Sequence, residues 1–392
     1  MIGIGHSSVK NPMKAAQEAA ANALSMIQGH TCHSCIVFAT VGYSQSILIE
    51  ELRKNVGDVP MIGCSGAGVI APDIADESNH CVAVMLLADP RIHLDTAVVP
   101  KLTDSSAAGR ELGKSLGKKL RQDARCVLLF PCGLNAVMDD LIPEMEKHIG
   151  GNLPIIGGLA ADNLLRDKTY QYHAWCVVEG GVVAAVLSGD FDLITDVSHG
   201  CLPIGLEMEV TKVEANRLYE IDNRPVMDVL MECVGEGIVN DFGKVALHFC
   251  IGQLTESDLT QCYDQFIIRY IAKYHAEDKS ISLPVKMEKG NKIWLTRRDR
   301  DKMFTACRNS ILRLREKLGV KRPFFVMDIN CVGRGKIVLA DSEKHDLLHS
   351  CQTSLASGIP WIGFFSYGEF CPIGQKNIFH NYTDVFALFV WR

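Results

Sequence analysis

No run of basic residues, no long apolar stretch and no low-complexity linker occurs in this 392-residue chain, and each absence removes a class of function. Without a basic run, and with a net charge of −6, nucleic acid is not expected as the main partner. The nearest approach, Arg297-Arg298-Asp299-Arg300-Asp301-Lys302, is interleaved with acids and reads as a helix start, with Asp residues near the positive end of the dipole. The most apolar runs are broken by Glu or Gly within about 10 residues, and Met1-Ile2-Gly3-Ile4-Gly5-His6 has neither a basic region nor a long apolar core. Neither a spanning helix nor a signal peptide is therefore expected, and no membrane partner. The missing linker favours a tight bilobed body over separate beads.

Metal and redox motifs are also thin. Cys32-His33-Ser34-Cys35 has C-x-x-C spacing, but no second C-x-x-C and no H-x-x-x-H completes a zinc set. A strand follows it, so it lacks the helix start that activates redox thiols, and a solvent-facing loop is the favoured reading. There is no C-x-x-C-H for covalent haem. The fifteen cysteines, many in apolar segments such as Cys81, Cys126, Cys176 and Cys307, read as small buried hydrophobes in a reducing compartment, and the cytoplasm is the expected location.

What the chain does have is a phrase used three times: Val59-Pro60-Met61-Ile62-Gly63, Leu153-Pro154-Ile155-Ile156-Gly157 and Ile359-Pro360-Trp361-Ile362-Gly363. Each follows an apolar run (Ile36 to Thr40, Cys126 to Phe130, Phe324 to Met327) and a helical segment (Ser46 to Lys54, Asp139 to His148, Lys344 to Ala356). Short apolar runs alternating with helix-period segments predict parallel strands with crossover helices. The fold class expected is α/β, with repeated βαβ-type units forming two mixed sheets in a bilobed body. Residues 1–205 and 220–392 form the two domains, with a boundary near 205 to 225.

Other elements follow from local signals. Asn11-Pro12 starts an amphipathic helix with Met13, Ala16, Ala20, Leu24 and Ile27 on one face. Another helix is expected from Ser105 to Leu120. Tyr170 to Val178 and Gly181 to Leu187 read as a hairpin turning at Glu179-Gly180. Phe266 to His275 and Asn291 to Thr296 read as strands, and Met303, Cys307, Ile311, Leu314 and Leu318 mark one face of a helix.

Open α/β sheets bind ligands at the carboxyl ends of their strands. That singles out three loops: Gly63 to Gly68, Gly157 to Asn163 and Phe364 to Glu369. Cys64 beside Ser65 invites a nucleophile reading, yet no base is identifiable, and a buried structural cysteine is preferred. Arg334, between Gly333 and Gly335, suits a carboxylate or phosphate, or else an internal salt bridge, for instance to Glu369 or Glu343. His199, and less so His380, could serve as the single axial ligand of a non-covalent haem.

Pro60-Met61-Ile62-Gly63-Cys64-Ser65, Ile155 to Asp162, Gly200-Cys201-Leu202-Pro203-Ile204-Gly205, Cys331-Val332-Gly333-Arg334-Gly335, Ser366-Tyr367-Gly368-Glu369 and His380-Asn381-Tyr382-Thr383 together resemble the FIST (F-box and intracellular signal transduction) family, FIST N followed by FIST C. The resemblance implies a sensory protein with a small ligand such as an amino acid. Some similar stand-alone members are described as haem proteins that respond to nitric oxide and act on a histidine kinase. No kinase, receiver, cyclase or methyl-accepting segment is fused here, so a separate signalling partner is implied.

The leading expectation is a sensor, not an enzyme, whose ligand bridges the two halves. Backbone donors of the loops carrying Gly63, Cys64, Ser65, Gly157 and Gly158 hold one end, while Asp162, Asn163, Arg334, Tyr367 and Glu369 complement its charges. A haem b sensor of nitric oxide, with His199 or His380 as ligand, and a hydrolase using Cys64 are the alternatives.

Overall fold

The computed structural model describes residues 1–151, 153–234, 248–256, 264–356 and 358–392. All three repeats fold as βαβ units. The first is Ser34–Thr40, Gln45–Val56 and Met61–Gly66; the second is Ala124–Pro131, Met138–Ile149 and Ile155–Gly158; the third is Arg322–Cys331, Asp341–Leu355 and Trp361–Ser366. In each, the two strands are parallel neighbours. The shared glycine has one cause. A Cβ on Gly63, Gly157 or Gly363 would lie 1.8, 2.1 or 1.7 Å from the carbonyl oxygen of Val37, Leu129 or Asp328 on the adjacent strand. No side chain fits that approach.

The class is α/β with mixed sheets, as expected, but the sheets number four rather than two among the described residues. Each unit anchors its own six-stranded sheet, and the units exchange strands in a ring. The chain leaving the first unit places Val69–Ala71 against the third unit's Trp361–Ser366. The chain leaving the second pairs Tyr170–His173 with the first unit's Met61–Gly66. The chain leaving the third pairs Glu369–Ile373 with the second unit's Ile155–Gly158.

One shared core fills the centre. Phe38, Phe130 and Phe364, one from each unit, meet with ring centroids 5.4, 4.5 and 5.8 Å apart. All three are fully buried, and each contributes about 2 to 3 kcal/mol by leaving water. The fourth sheet, which includes Cys201–Glu214, Arg217–Ile221, Phe249–Leu254 and Lys292–Arg298, forms a second lobe with its own core around Val210, Ile251 and Leu295.

Several local expectations need correction. The Pro12–Met26 helix, capped by Asn11 Oδ1 accepting from Lys14 N, buries an alanine stripe (Ala15, Ala16, Ala19, Ala20, Ala23) and leaves Met13 exposed. The strand beneath it carries Gly3 and Gly5, whose Cβ atoms would overlap the carbonyl oxygens of Ala23 and Ala19, so only small residues fit the contact. The expected hairpin turns at Ala174 and Trp175, both with positive φ (48° and 66°), rather than at Glu179-Gly180. Trp175 is buried and donates to Val59 O at 2.8 Å, so packing overrides turn propensity. Val182–Ser188 joins the second unit's sheet instead. Phe266 to His275 divides into Phe266–Arg269 and Lys273–His275. Only half of the C-x-x-C is the expected solvent-facing loop: His33 is exposed, but Ser34 and Cys35 begin the first unit's strand, Cys35 is a core residue, and burial pushes the Cys32 thiol up to about 11.

The Arg300–Leu318 helix keeps its expected face, with Met303, Cys307, Ile311, Leu314 and Leu318 buried against the third unit's sheet, and Asp299 caps it by accepting from Lys302 N. No helix among the described residues is long and apolar enough to cross a membrane.

Candidate functional site

The three loops do converge, but onto one another. Ala67 N donates to Phe365 O, Phe365 N to Gly68 O, Ala161 N to Ser65 O, Leu159 N to Gly368 O and Tyr367 N to Leu159 O, all between 2.8 and 3.1 Å. Ser65 Oγ donates to Ala161 O and accepts from Tyr170 N. These backbone donors serve the strand exchange, so they are not turned toward a ligand. Gly158 has a packing role, since a Cβ there would lie 2.9 Å from Ser366 Cβ and Ile329 Cγ2. Cys64 is fully buried in the central core, and burial pushes its thiol well up; as a solvent-reached nucleophile it does not fit.

Asp162 organises the next turn. Its carboxylate accepts from the backbone N–H groups of Arg166, Asp167 and Lys168 and from the Tyr367 hydroxyl. That holds Asn163, Leu164 and Arg166 at positive φ (56°, 68° and 54°). Asn163 Nδ2 donates to Asn79 Oδ1. Glu369 is fully buried, accepting from Ser366 Oγ and from Thr383 N and Oγ1, and burial pushes its carboxyl up to about 7. Asp162, Tyr367 and Glu369 are thus engaged within the protein, and Asn163 through its Nδ2, while Asn163 Oδ1 is buried without a partner among the described residues.

Arg334 differs. It follows the third unit's first strand in the short Val332–Arg334 turn, and its flanking glycines are required: a Cβ on Gly333 would strike the Tyr382 ring at 2.3 Å, and one on Gly335 would overlap Glu77 Oε1 at 2.2 Å. The guanidinium is buried beneath the Arg300–Leu318 and Asp341–Leu355 helices. Its Nη2 donates to Cys307 Sγ at 2.9 Å and lies 3.6 Å from Asp384 Oδ2, while Nε donates to Asn330 Oδ1 at 3.3 Å. The internal salt bridge is thus to Asp384; Glu369 and Glu343 are engaged elsewhere. Arg334 Nη1 has no hydrogen-bond partner among the described residues.

Asp328 and Asp384 project from neighbouring strands toward the same helices. The two buried carboxyls interact, and like charges that close favour holding one proton between them. Burial and then the Asp384 charge push Asp328 well above the usual carboxylate range; burial also raises Asp384, against the pull of Arg334. A cavity of about 30 Å³ lies here, with Asp328, Asn330, Arg334, Lys344, Cys351 and Asp384 as its polar wall. Ile70 and Ala75 close it from the hairpin that the first unit contributes. Beside it, Lys344 Nζ meets Glu77 Oε2, with both side chains almost fully buried.

Sequence reasoning found Arg334 by its glycine frame and missed Asp328, Asp384, Lys344 and Glu77. The available signal was an acid inside an otherwise apolar strand: Asp328 within Phe324 to Ile329, and Asp384 ahead of Val385 to Val390.

His199 and His380 are both engaged within the protein. His199 Nδ1 accepts from Cys201 N at 3.1 Å, its Nε2 lies 3.2 Å from Asp264 Oδ2, and its ring packs on Phe266. Burial lowers its pKa to about 4. His380 is fully buried, with Nε2 3.1 Å from Cys371 O, and burial lowers it to about 3. The Arg334 cavity is lined by neither histidine, and a macrocycle needs a flat apolar space over its ligand. Among the described residues no group of three or more His, Cys, Asp or Glu is placed to hold a metal ion.

A family model described as the FIST N domain matches residues 33–224, and one described as the FIST C domain matches residues 227–372. An uncharacterized protein of Mycobacterium tuberculosis is 26% identical over 396 residues, covering 99% of both chains. One from Mycobacterium bovis is 25% identical over 397 residues, covering 99% of this chain and 98% of its own. One from Methanocaldococcus jannaschii is 28% identical over 249 residues, covering 59% of this chain and 46% of its own. Among solved structures, a cyanuric acid hydrolase aligns at 9% identity and a TM-score of 0.34, covering 100% of this chain and 99% of its own.

Proposed function

The chain belongs to the FIST family of signal-transduction sensory domains, and we propose that its ligand site is the polar cavity around Arg334, where the two family segments meet. Ile70, Ala75 and Glu77 come from the FIST N segment; Asp328, Asn330, Arg334 and Lys344 come from FIST C. The observation that carries this reading is the buried Arg334 guanidinium, which lines the cavity and whose Nη1, a charged donor, has no acceptor among the described residues.

A carboxylate answers that donor. An amino group beside it finds Asn330 and the Asp328–Asp384 pair, so an amino acid or a similar small charged metabolite matches both ends. The present volume of about 30 Å³ holds about one water, so such a ligand selects an arrangement in which the Asp341–Leu355 helix stands off the hairpin. That movement is the signal passed to a separate partner, a histidine kinase or another signalling protein. The fourteen free cysteines among the described residues suit a reducing, cytoplasmic setting. The protein acts by binding rather than turnover.

A thermal-shift screen of free amino acids and small carboxylates tests this. At least one compound raises the midpoint in the native chain and fails to do so in Arg334→Lys, which keeps the charge but loses the planar fork. A panel with no effect, or an equal shift in the variant, refutes the assignment.

A further inference from the structure

Cys351 lines this cavity from the Asp341–Leu355 helix, while Cys307, on the Arg300–Leu318 helix, touches two of its lining residues from behind; the ligand reading uses neither thiol. Cys307 Sγ donates to Asp384 Oδ2 at 3.2 Å and accepts from Arg334 Nη2 at 2.9 Å. Cys351 faces the cavity and belongs to the same buried cluster as Cys307. A cation against one thiol, a carboxylate able to take its proton and a second thiol within reach form an arrangement suited to peroxide chemistry. Size points the same way. As it stands, the cavity has room for about one water-sized polar molecule and for nothing as large as an amino acid, which leaves only the smallest reactants. Hydrogen peroxide also matches the polar groups, since it accepts from Arg334 Nη1 and donates to the carboxyls of Asp328 and Asp384.

We propose that Cys307 and Cys351 are a thiol pair oxidised by hydroperoxides that enter the Arg334 cavity. The Cys307 thiol proton passes to Asp384, and the sulfur attacks one peroxide oxygen. The O–O bond breaks, and the leaving oxygen takes a proton from the Asp328–Asp384 pair and departs as water. Cys307 is left as a sulfenic acid. The Cys351 sulfur then attacks the Cys307 sulfur, the S–O bond breaks, and the hydroxide leaves with the Cys351 proton as a second water. One peroxide is reduced and two thiols become one disulfide.

The product ties the Arg300–Leu318 helix to the Asp341–Leu355 helix and removes the sulfur on which Arg334 rests. It is an input distinct from amino-acid binding, so either can fail without the other. The other close thiols, Cys201 and Cys250, lie 3.8 Å apart at sulfur. Their strands flank Lys292–Arg298 on opposite sides, which separates the Cα atoms by about two strand spacings, roughly 9 to 10 Å, beyond the reach of a disulfide.

The test is limited hydrogen peroxide treatment of the full chain, followed by mass mapping of unreduced peptides. The expected product is a Cys307–Cys351 cross-linked peptide lacking two hydrogens, formed at least about tenfold faster than oxidation of the exposed Cys176. In Cys351→Ser the cross-link is lost and Cys307 is instead trapped by dimedone as the sulfenic acid. The proposal is overturned if Cys307 and Cys351 stay reduced while Cys176 oxidises, or if Cys307 takes no dimedone in the Cys351→Ser protein.

Discussion

Lys344 Nζ lies 2.5 Å from Glu77 Oε2, and the two side chains, 3% and 2% exposed, join a helix of the third βαβ unit to the hairpin sent out by the first. Glu77 also accepts from Lys336 N at 2.6 Å. This ion pair holds the cavity wall that a ligand must move.

Removing one partner leaves an unpaired buried charge. Lys344→Met should therefore lower stability by about 3 to 5 kcal/mol, and Lys344→Met with Glu77→Leu should recover most of the loss. Urea unfolding of the two proteins gives the comparison. A double variant no more stable than the single one would show that the helix depends on this pair for more than charge balance.

Glu369 gives a pH signature. Its folded-state pKa is raised from 4.5 to about 7 by burial, so the folded chain holds the proton more tightly than the unfolded chain across that window. Stability from this group is complete below about pH 4.5 and is lost as pH rises through about 7, by about 3 kcal/mol. His199 and His380, lowered by burial to about 4 and about 3, act in the opposite sense: their contribution falls as pH drops below about 6.5. The native curve therefore mixes both, and the difference between native chain and Glu369→Gln isolates the carboxyl. That difference should grow in favour of the variant between about pH 5 and pH 8, measured by urea midpoints.

The repeated glycine is testable by contrast. Gly363→Ala forces a Cβ to 1.7 Å from Asp328 O and should cost at least about 3 kcal/mol or prevent folding. Gly151→Ala meets nothing within 4 Å and should change stability by less than about 0.5 kcal/mol. Equal effects on the thermal midpoint would remove the steric account.

That glycine is also why the three units were legible. The demand is local, strand against adjacent strand, and it recurs, so it left the same phrase three times. Arg334 was legible for a similar reason, because Tyr382 and Glu77 each exclude a side chain beside it. The ring of exchanged strands was not. Which strand Val69–Ala71 joins depends on a partner almost 300 positions away, and no local pattern records that choice. Asp328 and Asp384 were hidden by the same effect: each looks like one polar interruption in an apolar run until the register Asn330↔Asp384 brings them together.

Haem supplies a negative prediction. With His199 Nδ1 accepting from Cys201 N and its Nε2 turned to Asp264, and with Nε2 of His380 at a carbonyl, added haem should give no stoichiometric Soret band, whether or not nitric oxide is present. A band lost in His199→Ala would contradict this geometry.

The most direct test of the central claim is a calorimetric titration of the amino acid that gives the largest thermal shift, into the native chain and into Arg334→Ala. Saturable binding that weakens by about 1.5 to 3 kcal/mol in the variant, with its near-ultraviolet circular dichroism unchanged, is the predicted result. Equal affinity in both proteins would place the ligand elsewhere and leave the Arg334 cavity without the role argued for it.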